Sequence, residues 1–456
     1  MGSSRNLRRA TLAVFVVATI AACSGAIPSP SPAPSATAVA TLGATSPSPS
    51  ATIPAASSPS AALETAVPSG SQSPTQYPEM LIPADLIHAI PLPAGAEVTG
   101  ADVDNPFWGQ ISADGDWLAT QFSFQGVAPG HDEQLYAVNI MTGVSRRLAD
   151  HSAQVSVANG RAAWVDPKCV YTYTAMTGEK DVCTAWTLHL MDLTTGTDRV
   201  VTHGTITEQV SDALFTFGDE QNIMPTAALS SDTLAYTTGD LGTGFTLHLL
   251  SISTGAERTV ELGGMIEEMY WAGDDLVWIE DTDLHHDNGG PPVGASGPYY
   301  YTGTRLMLLG AGAEVAIQIG SSPVSLIADT TGIVWSAMSG TIAFLRASGP
   351  DWTSVDLGPL LTYKTVDSLP APLMSISDGW TGWTAAQLCS PITGPFTNAT
   401  GQPLCHDPYL VAESDSAPQE VRYGGYLSGG WLFIVPRDPA TDEPTGFEAV
   451  RIGDLP

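Results

Sequence analysis

The residues best suited to chemistry lie in an acidic stretch at positions 280–290. Asp281, Asp283 and Asp287 offer carboxylate oxygens at alternating positions, and oxygen is the ligand atom that calcium prefers. His285 lies among them and would favour a transition metal instead. The stretch departs from an EF-hand loop, because no glutamate occupies the twelfth position. The sequence therefore leaves two interpretations open, a metal site that takes calcium and a solvated acidic loop.

Nucleophilic catalysis has little support in the sequence. No Gly-x-Ser-x-Gly elbow occurs, and no α/β segment follows the later repeats to carry one. Ser428 lies in a Ser-Gly-Gly turn, where small residues are expected for conformational reasons. His189 and His248 each occur in a Thr-Leu-His-Leu strand, and this repetition favours a structural position over a metal ligand. Enzymatic activity stays undecided, and a non-catalytic role is favoured.

The N-terminus has the layout of an export signal. Three arginines precede an apolar run at residues 10–20, which is too short to favour a transmembrane helix. The run ends in Ala21-Ala22-Cys23, which resembles the lipobox of bacterial lipoproteins. We expect residues 1–22 to be a lipoprotein signal peptide, exported by the Sec or the twin-arginine route. The lipid on Cys23 would then hold the protein on the outer face of a bacterial cell membrane.

Four cysteines remain after Cys23, and they form two pairs that are close in sequence. Because an exported chain meets oxidising conditions, we predict the disulfides Cys169–Cys183 and Cys389–Cys405. Each would stabilise the fold by about 3 kcal/mol on the chain-entropy model. A zinc site is the competing interpretation, but the short Cys-x-x-Cys spacing typical of such sites is absent.

Composition divides the rest of the chain into a tether and a domain. Residues 23–79 are dominated by Pro, Ser, Ala and Thr, which predicts a disordered, semi-stiff spacer. Residues 80–456 are rich in glycine, aromatic and β-branched residues, which predicts one all-β domain. The formal net charge of -31 argues against a nucleic-acid partner.

The domain contains two short elements that alternate along the chain. The first is a turn followed by a strand with large apolar residues, and its seven copies begin at Asp116, Arg161, Asp232, Asp275, Gly332, Gly379 and Gly430. The second is a strand that ends, in its clearest copies, in a Thr-Gly turn. Because a small twisted sheet buries both faces only by stacking on copies of itself, the repeat predicts a single β-propeller. Seven blades fit the copies, with six or eight left open.

The segment Ser112-Ala113-Asp114-Gly115-Asp116-Trp117 comes before a Leu-Tyr-Ala-Val-Asn strand and a Thr-Gly turn. This arrangement resembles the TolB-like β-propellers and the propellers attached to prolyl-oligopeptidase-type peptidases. The resemblance covers most of residues 105–455, and it implies a fold rather than an activity. Since the chain ends soon after the seventh copy, we expect residues 87–92 to supply the outer strand of the last blade.

Two functions remain open. The favoured one is a monomeric, membrane-anchored surface lipoprotein whose propeller binds or scaffolds envelope proteins or glycans without catalysis. The alternative is a metal-assisted hydrolase or lyase that acts on polysaccharide at the mouth of the propeller channel. Acidic or histidine side chains that converge from several blades on one channel end would favour the enzyme. A channel lined by small and apolar residues would favour the binding module.

Overall fold

The structure is a computed structural model, and the part of the chain that it describes lies within one compact unit, Ser71–Pro456. The described residues are 78–97, 111–124, 133–150, 154–174, 178–206, 209–211, 220–240, 242–282, 303–321, 323–337, 342–348, 351–355, 374–384, 409–413, 416–421, 424–436, 438 and 444–456. The predicted signal peptide, Cys23 and the tether up to Tyr77 lie outside them.

The described residues form an all-β propeller with seven blades. Each blade is a twisted antiparallel sheet, and in blades 2 to 6 its four strands follow one another in chain order from the inside outward. Blade 7 departs from this order because an N-terminal strand forms its outer edge. The innermost strands of successive blades contact each other, and the contact between the seventh and the first completes the ring. The all-β fold class and the count of seven blades are therefore confirmed.

The strands of the propeller are numbered from the N-terminus. Before the first inner strand come β1 (His88–Ala89) and β2 (Ala96–Glu97). Blades 1 and 2 contain β3 (Ser112–Asp114), β4 (Trp117–Phe124), β5 (Glu133–Asn139), β6 (Ser145–Ala149), β7 (Val155–Ala158), β8 (Arg161–Thr174), β9 (Gly178–Asp192) and β10 (Thr197–Thr205). A separate hairpin follows, made of β11 (Gln209–Ser211) and β12 (Glu220–Asn222).

Blades 3 and 4 contain β13 (Ala227–Leu229), β14 (Thr233–Asp240), β15 (Gly244–Ser251), β16 (Glu257–Leu262), β17 (Met265–Ala272), β18 (Asp275–Asp281), β19 (Thr304–Leu309) and β20 (Ile317–Ser321). Blades 5 and 6 contain β21 (Pro323–Ala328), β22 (Gly332–Ala337), β23 (Ile342–Ser348), β24 (Asp351–Val355), β25 (Met374–Ser377), β26 (Trp380–Thr384), β27 (Tyr409–Glu413) and β28 (Gln419–Val421). Blade 7 contains β29 (Tyr426–Ser428), β30 (Trp431–Ile434), β31 (Glu448–Arg451) and the distant β1.

Helical structure is sparse in the described part of the chain. It consists there of two 3-10 turns, Ala84–Leu86 and Ile452–Asp454. No helix among these residues has the length and hydropathy needed to cross a membrane.

The N-terminal strand closes the ring. β1 pairs with β31 as the outermost strand of blade 7, with His88 opposite Ala449 and Ala89 opposite Glu448. The amide of Ile90 donates to the carbonyl of Phe447 at 2.8 Å and extends the pairing. The prediction that residues 87–92 complete the last blade is confirmed.

The Thr-Gly turns of the repeat form tight hairpins between the third and fourth strands. Gly143, Gly196 and Gly255 adopt positive φ angles of 71°, 75° and 70°, which favour glycine. Before the second of these glycines, the carboxylate of Asp192 accepts a hydrogen bond from the amide of Thr195 at 2.8 Å. The same local chemistry therefore builds the outer edge of three blades.

Large apolar side chains of the repeat form the core between blades. Trp164, Trp278 and Trp431 are fully buried, so these repeated tryptophans pack the interior as the sequence predicts. A disulfide joins Cys169 on β8 to Cys183 on β9, two residues that face each other in the long hairpin of blade 2. This is the pairing expected from the sequence. The other predicted pair, Cys389–Cys405, lies outside the described residues.

Candidate functional site

The seven inner strands surround a central channel. It encloses a cavity of about 770 Å³, which is within the usual size range of ligand pockets. Small and apolar side chains such as Ala113, Val157 and Ala227 form much of its wall. A channel lined by small and apolar residues was the feature expected for a binding module, so this wall favours that function over the enzyme.

Serine side chains on the inner strands tie the blades together around this channel. In four places a serine Oγ accepts a hydrogen bond from a backbone amide of the neighbouring blade: Ser112 from Val157 (2.8 Å), Ser156 from Leu229 (2.9 Å), Ser377 from Gly430 (2.7 Å) and Ser428 from Ala113 (3.1 Å). The Ser428 hydroxyl therefore has a structural role, because it accepts a hydrogen bond that joins blade 7 to blade 1. These bonds fix the inner strands relative to each other, so the channel wall is preorganised.

One mouth of the channel is acidic. The hairpin turns that follow the inner strands of blades 1, 4, 5 and 6 bring four aspartates to the cavity: Asp114, Asp274, Asp329 and Asp378. Each occupies or adjoins the turn before the first element of the repeat, where aspartate is favoured for conformational reasons. Their sequence pattern alone does not mark these four aspartates as site residues. Their convergence from four blades is the feature expected for the enzyme alternative, so the channel carries features of both functions.

Two of these aspartates also accept hydrogen bonds from backbone amides of the neighbouring blade. Asp114 accepts a hydrogen bond from the amide of Asn159 in blade 2 at 2.5 Å. Asp329 accepts from the amide of Asp378 in blade 6 at 2.9 Å through Oδ2, and its Oδ1 accepts from Thr331 in its own turn. These two carboxylates thus combine a structural role with a negative charge at the mouth.

The surroundings of Asp378 disfavour the ionised form of its carboxyl. Burial and the nearby charges of Asp329 and Asp114 raise the pKa of its carboxyl above the ordinary value. Its backbone has a positive φ of 48°. No hydrogen bond from a described residue to its carboxylate offsets the repulsion. A bound cation would relieve this excess of negative charge.

Replacing Asp378 with asparagine is expected to raise the melting temperature at pH 7 by on the order of 1 °C. The folded-state pKa is raised, so the ionised carboxyl destabilises the fold above that pKa, and the penalty disappears as the pH falls through it. Asparagine removes the charge and tolerates the positive φ. Calorimetry should show that the gain shrinks between pH 7 and pH 4. A melting temperature that falls at pH 7 would contradict the assignment, and the exposed Asp85→Asn serves as the control.

A second polar cluster lines the same cavity further along the inner strands. Glu268 on β17 accepts a hydrogen bond from the amide of Leu326 in blade 5 at 2.6 Å. Blades surround this side chain, yet it remains partly exposed, and it lines the cavity. Burial, opposed by the Leu326 hydrogen bond and assisted by the nearby charge of Glu267, raises the pKa of Glu268 to about 8. This carboxyl is therefore poised to change charge near neutral pH.

Two tyrosines accompany Glu268 in the cavity. Tyr270 lies on the same strand, and Tyr426 comes from β29 of blade 7. Burial and the charge of Glu268 raise the pKa of both phenols above the ordinary value, and Tyr426 also affects Tyr270. All three side chains line the same cavity, and the charge of Glu268 acts on both phenols.

The charged side chains that line the cavity, among the described residues, are all acidic. Six carboxylates belong to the lining: Asp114, Glu267, Glu268, Asp274, Asp329 and Asp378. Among the described residues that line the cavity, none is lysine, arginine or histidine. A channel with this lining attracts cations and repels anions.

Only one of the four predicted metal ligands, Asp281, lies within the described residues. Asp281 is the last residue of β18 and is buried, with 5% of its surface exposed. Asp283, His285 and Asp287 lie outside the described residues, so the predicted calcium site stays a prediction. Within the described ranges, no group of three or more His, Cys, Asp or Glu side chains is placed to hold a metal ion.

The two recurrent histidines occupy equivalent structural positions. His189 stacks on Trp164 with ring centroids 4.8 Å apart, and its Nδ1 lies 2.9 Å from a carboxylate oxygen of Asp198. His248 stacks on Tyr236 at 4.6 Å and makes the same kind of contact with a carboxylate one strand away. Both lie on the third strand of their blades and contact a carboxylate of the fourth strand, and neither lines the cavity.

Several solved structures are similar to this chain, at low sequence identity and with TM-scores below 0.5. The β-propeller domain of the Trilobed protease from Pyrococcus furiosus is 10% identical, with a TM-score of 0.45, and the match covers 75% of this chain and 95% of that one. TolB from Acinetobacter baumannii is 11% identical, with a TM-score of 0.34 and coverages of 70% and 80%. A protease propeller domain and TolB are thus both among the solved structures that are similar to this chain.

A third structure, acylaminoacyl peptidase from Pyrococcus horikoshii, is 10% identical with a TM-score of 0.39. The match covers 75% of this chain but only 51% of the peptidase, so the chain spans about half the length of that enzyme. No family model matches the sequence. No curated protein sequence matches it significantly either.

Proposed function

We propose that this protein is a surface lipoprotein, anchored through Cys23, whose propeller is a non-catalytic binding module for an envelope protein. In this proposal a lysine-rich or arginine-rich segment of the partner enters the channel from its acidic mouth. The observation that carries the proposal is the cavity of about 770 Å³, lined by six carboxylates and, among its described residues, by no basic side chain.

The charge of the lining favours a basic protein segment over a glycan. Burial and the charges of Asp329 and Asp114 raise the pKa of Asp378, and a cationic segment would offset both effects on the ionised carboxyl, whereas a neutral glycan would not. An acidic glycan would be repelled. The preorganised channel wall lowers the cost of ordering the site when a partner enters it.

The acidic convergence also fits the enzyme alternative, in which a metal at the mouth assists hydrolysis or elimination. Two of the four mouth carboxylates, those of Asp114 and Asp329, already accept backbone hydrogen bonds. Asp274 and Asp378 lie in the turns of blades 4 and 6, and no described grouping has the arrangement of a metal site. We therefore favour the binding module and keep calcium as a competitor in its test.

The full-length chain in detergent is expected to bind a hexalysine peptide and not a hexaglutamate peptide, with an affinity that falls as salt rises. Asp274→Asn/Asp378→Asn should weaken hexalysine binding about tenfold, because each exposed ion pair contributes about 0.2–1 kcal/mol. Isothermal titration calorimetry measures both results. The matched control is Asp85→Asn/Asp454→Asn, which removes the same charge from two exposed positions outside the channel lining.

Two outcomes would contradict the proposal. If hexalysine binds the double mouth variant and the control variant equally well, the mouth is not the site. If hexalysine does not bind but calcium does, and the mouth variant abolishes calcium binding, the metal-assisted alternative gains the support.

A further inference from the structure

The inner part of the channel contains a carboxylate with one oxygen free. Oε2 of Glu268 accepts the amide hydrogen of Leu326 at 2.6 Å. Its Oε1 has no hydrogen-bond donor among the described residues, and the side chain faces the cavity. A charged group surrounded by protein gains more from a partner of opposite charge than an exposed one does. The free oxygen is therefore a place where a ligand cation would bind.

We propose that Glu268, Tyr270 and Tyr426 form a subsite in the channel that binds the ammonium group of a lysine side chain. This inference rests on the proposed function, since it names the group of the basic segment that reaches furthest into the channel. Glu268 supplies a charge-assisted hydrogen bond, and the two neighbouring aromatic rings attract a cation.

The geometry favours lysine over arginine. A guanidinium gains most from two parallel hydrogen bonds to both oxygens of a carboxylate. Glu268 offers only one free oxygen, because the other holds the inner strand of blade 5. An ammonium group is a compact charge that a single oxygen satisfies, with aromatic rings around it.

The subsite is separated from the mouth along the strand. From Glu268 to Ala272, the last residue of β17, the strand rises by about 13 Å at about 3.3 Å per residue, and Asp274 lies in the turn that follows. Glu268 and Asp274 line one cavity. A basic segment would therefore have to enter in an extended form to engage the mouth and the subsite together.

Proton linkage provides a signature of the subsite. The titratable groups that interact with Glu268 are Glu267 and Tyr270 on its own strand and Tyr426 across the channel. The pKa of Glu268 is raised to about 8, so much of this carboxyl carries a proton at pH 7. When the ammonium binds, the carboxyl ionises and its proton passes to the buffer.

Hexalysine is titrated into the full-length chain at pH 7 in two buffers that differ in ionisation enthalpy. The wild-type protein should release up to about one proton per bound peptide, a measurement that needs no variant. Glu268→Gln, which keeps an oxygen for the Leu326 amide, should bind hexalysine about 10- to 100-fold more weakly and release no proton. Tyr270→Leu should weaken binding about two- to fivefold.

The outcomes separate the two proposals. If Glu268→Gln binds hexalysine like the wild type, or if the wild type releases no proton, the subsite is wrong while the channel can still be the binding site. If the wild type does not bind hexalysine, the proposed function fails and the subsite fails with it. Asp274→Asn/Asp378→Asn should weaken binding yet leave the proton release in place, which distinguishes the mouth from the subsite.

Discussion

Replacing Trp431 with alanine should lower the free energy of unfolding by about 3–5 kcal/mol. The side chain is fully buried in the core cluster that joins the last and first blades. Its ring meets the ring of His88 on the N-terminal strand edge-on, with centroids 5.7 Å apart, and the guanidinium of Arg451 lies 4.3 Å from its centroid. Its Nε1 donates to the carbonyl of Gly115 in blade 1 at 2.6 Å. Trp431 therefore binds together three parts of the chain where the ring closes.

A phenylalanine comparison isolates the hydrogen bond across the closure. Trp164 is equally well buried, but its Nε1 has no hydrogen-bond partner in the described structure. Trp431→Phe should therefore cost about 1 kcal/mol more than Trp164→Phe, because only the former loses a buried hydrogen bond. Denaturant unfolding of Trp431→Ala, Trp431→Phe and Trp164→Phe measures these differences. Equal losses for the two phenylalanine variants would contradict the closure role of Trp431.

Replacing Glu280 with alanine should lower the free energy of unfolding by a similar amount, about 3–5 kcal/mol. The side chain is 3% exposed. One of its oxygens accepts from the amides of Gly263 and Gly264 at 2.6 and 3.1 Å, and the other accepts from the guanidinium of Arg305 at 2.9 Å. Removing the carboxylate leaves two backbone donors without an acceptor, and buried donors of this kind are costly.

The control for Glu280 is a glutamate on an exposed part of the neighbouring blade. Glu261→Ala on β16 should change the stability by no more than about 0.5 kcal/mol. Denaturant unfolding with and without a chelator tests a further point. A difference of less than about 1 kcal/mol between Glu280→Ala and wild type would contradict the structural role. A difference that vanishes on chelation would instead show that Glu280 acts through a bound metal.

The repeat in the sequence was sufficient to predict the blades and their closure. The seven turn-and-strand copies correspond to the seven second strands, because burial between blades demands large apolar residues at that position in every copy. The closure by His88 and Ala89 followed from a missing outer strand in the seventh copy. Such features depend on local periodicity and counting, which a single sequence contains.

The candidate site could not be predicted in the same way. Asp114 and Asp378 occupy turns where aspartate is common, and only the ring geometry shows that turns from distant blades meet at one mouth. Glu268 lies beside a register shift in β17, which disrupts the alternation of inward and outward residues. The acidic stretch after Glu280 was conspicuous because its residues are adjacent in sequence, whereas the channel carboxylates are adjacent only in space.

A crystal structure of the protein with bound hexalysine tests the central claim most directly. The proposal predicts an extended peptide inside the channel, with carboxylates of the mouth near its outer ammonium groups. One further ammonium should lie about 3 Å from the free oxygen of Glu268. A peptide bound to the outer strands of the blades, beside an empty channel, would contradict the claim that the channel receives a basic partner.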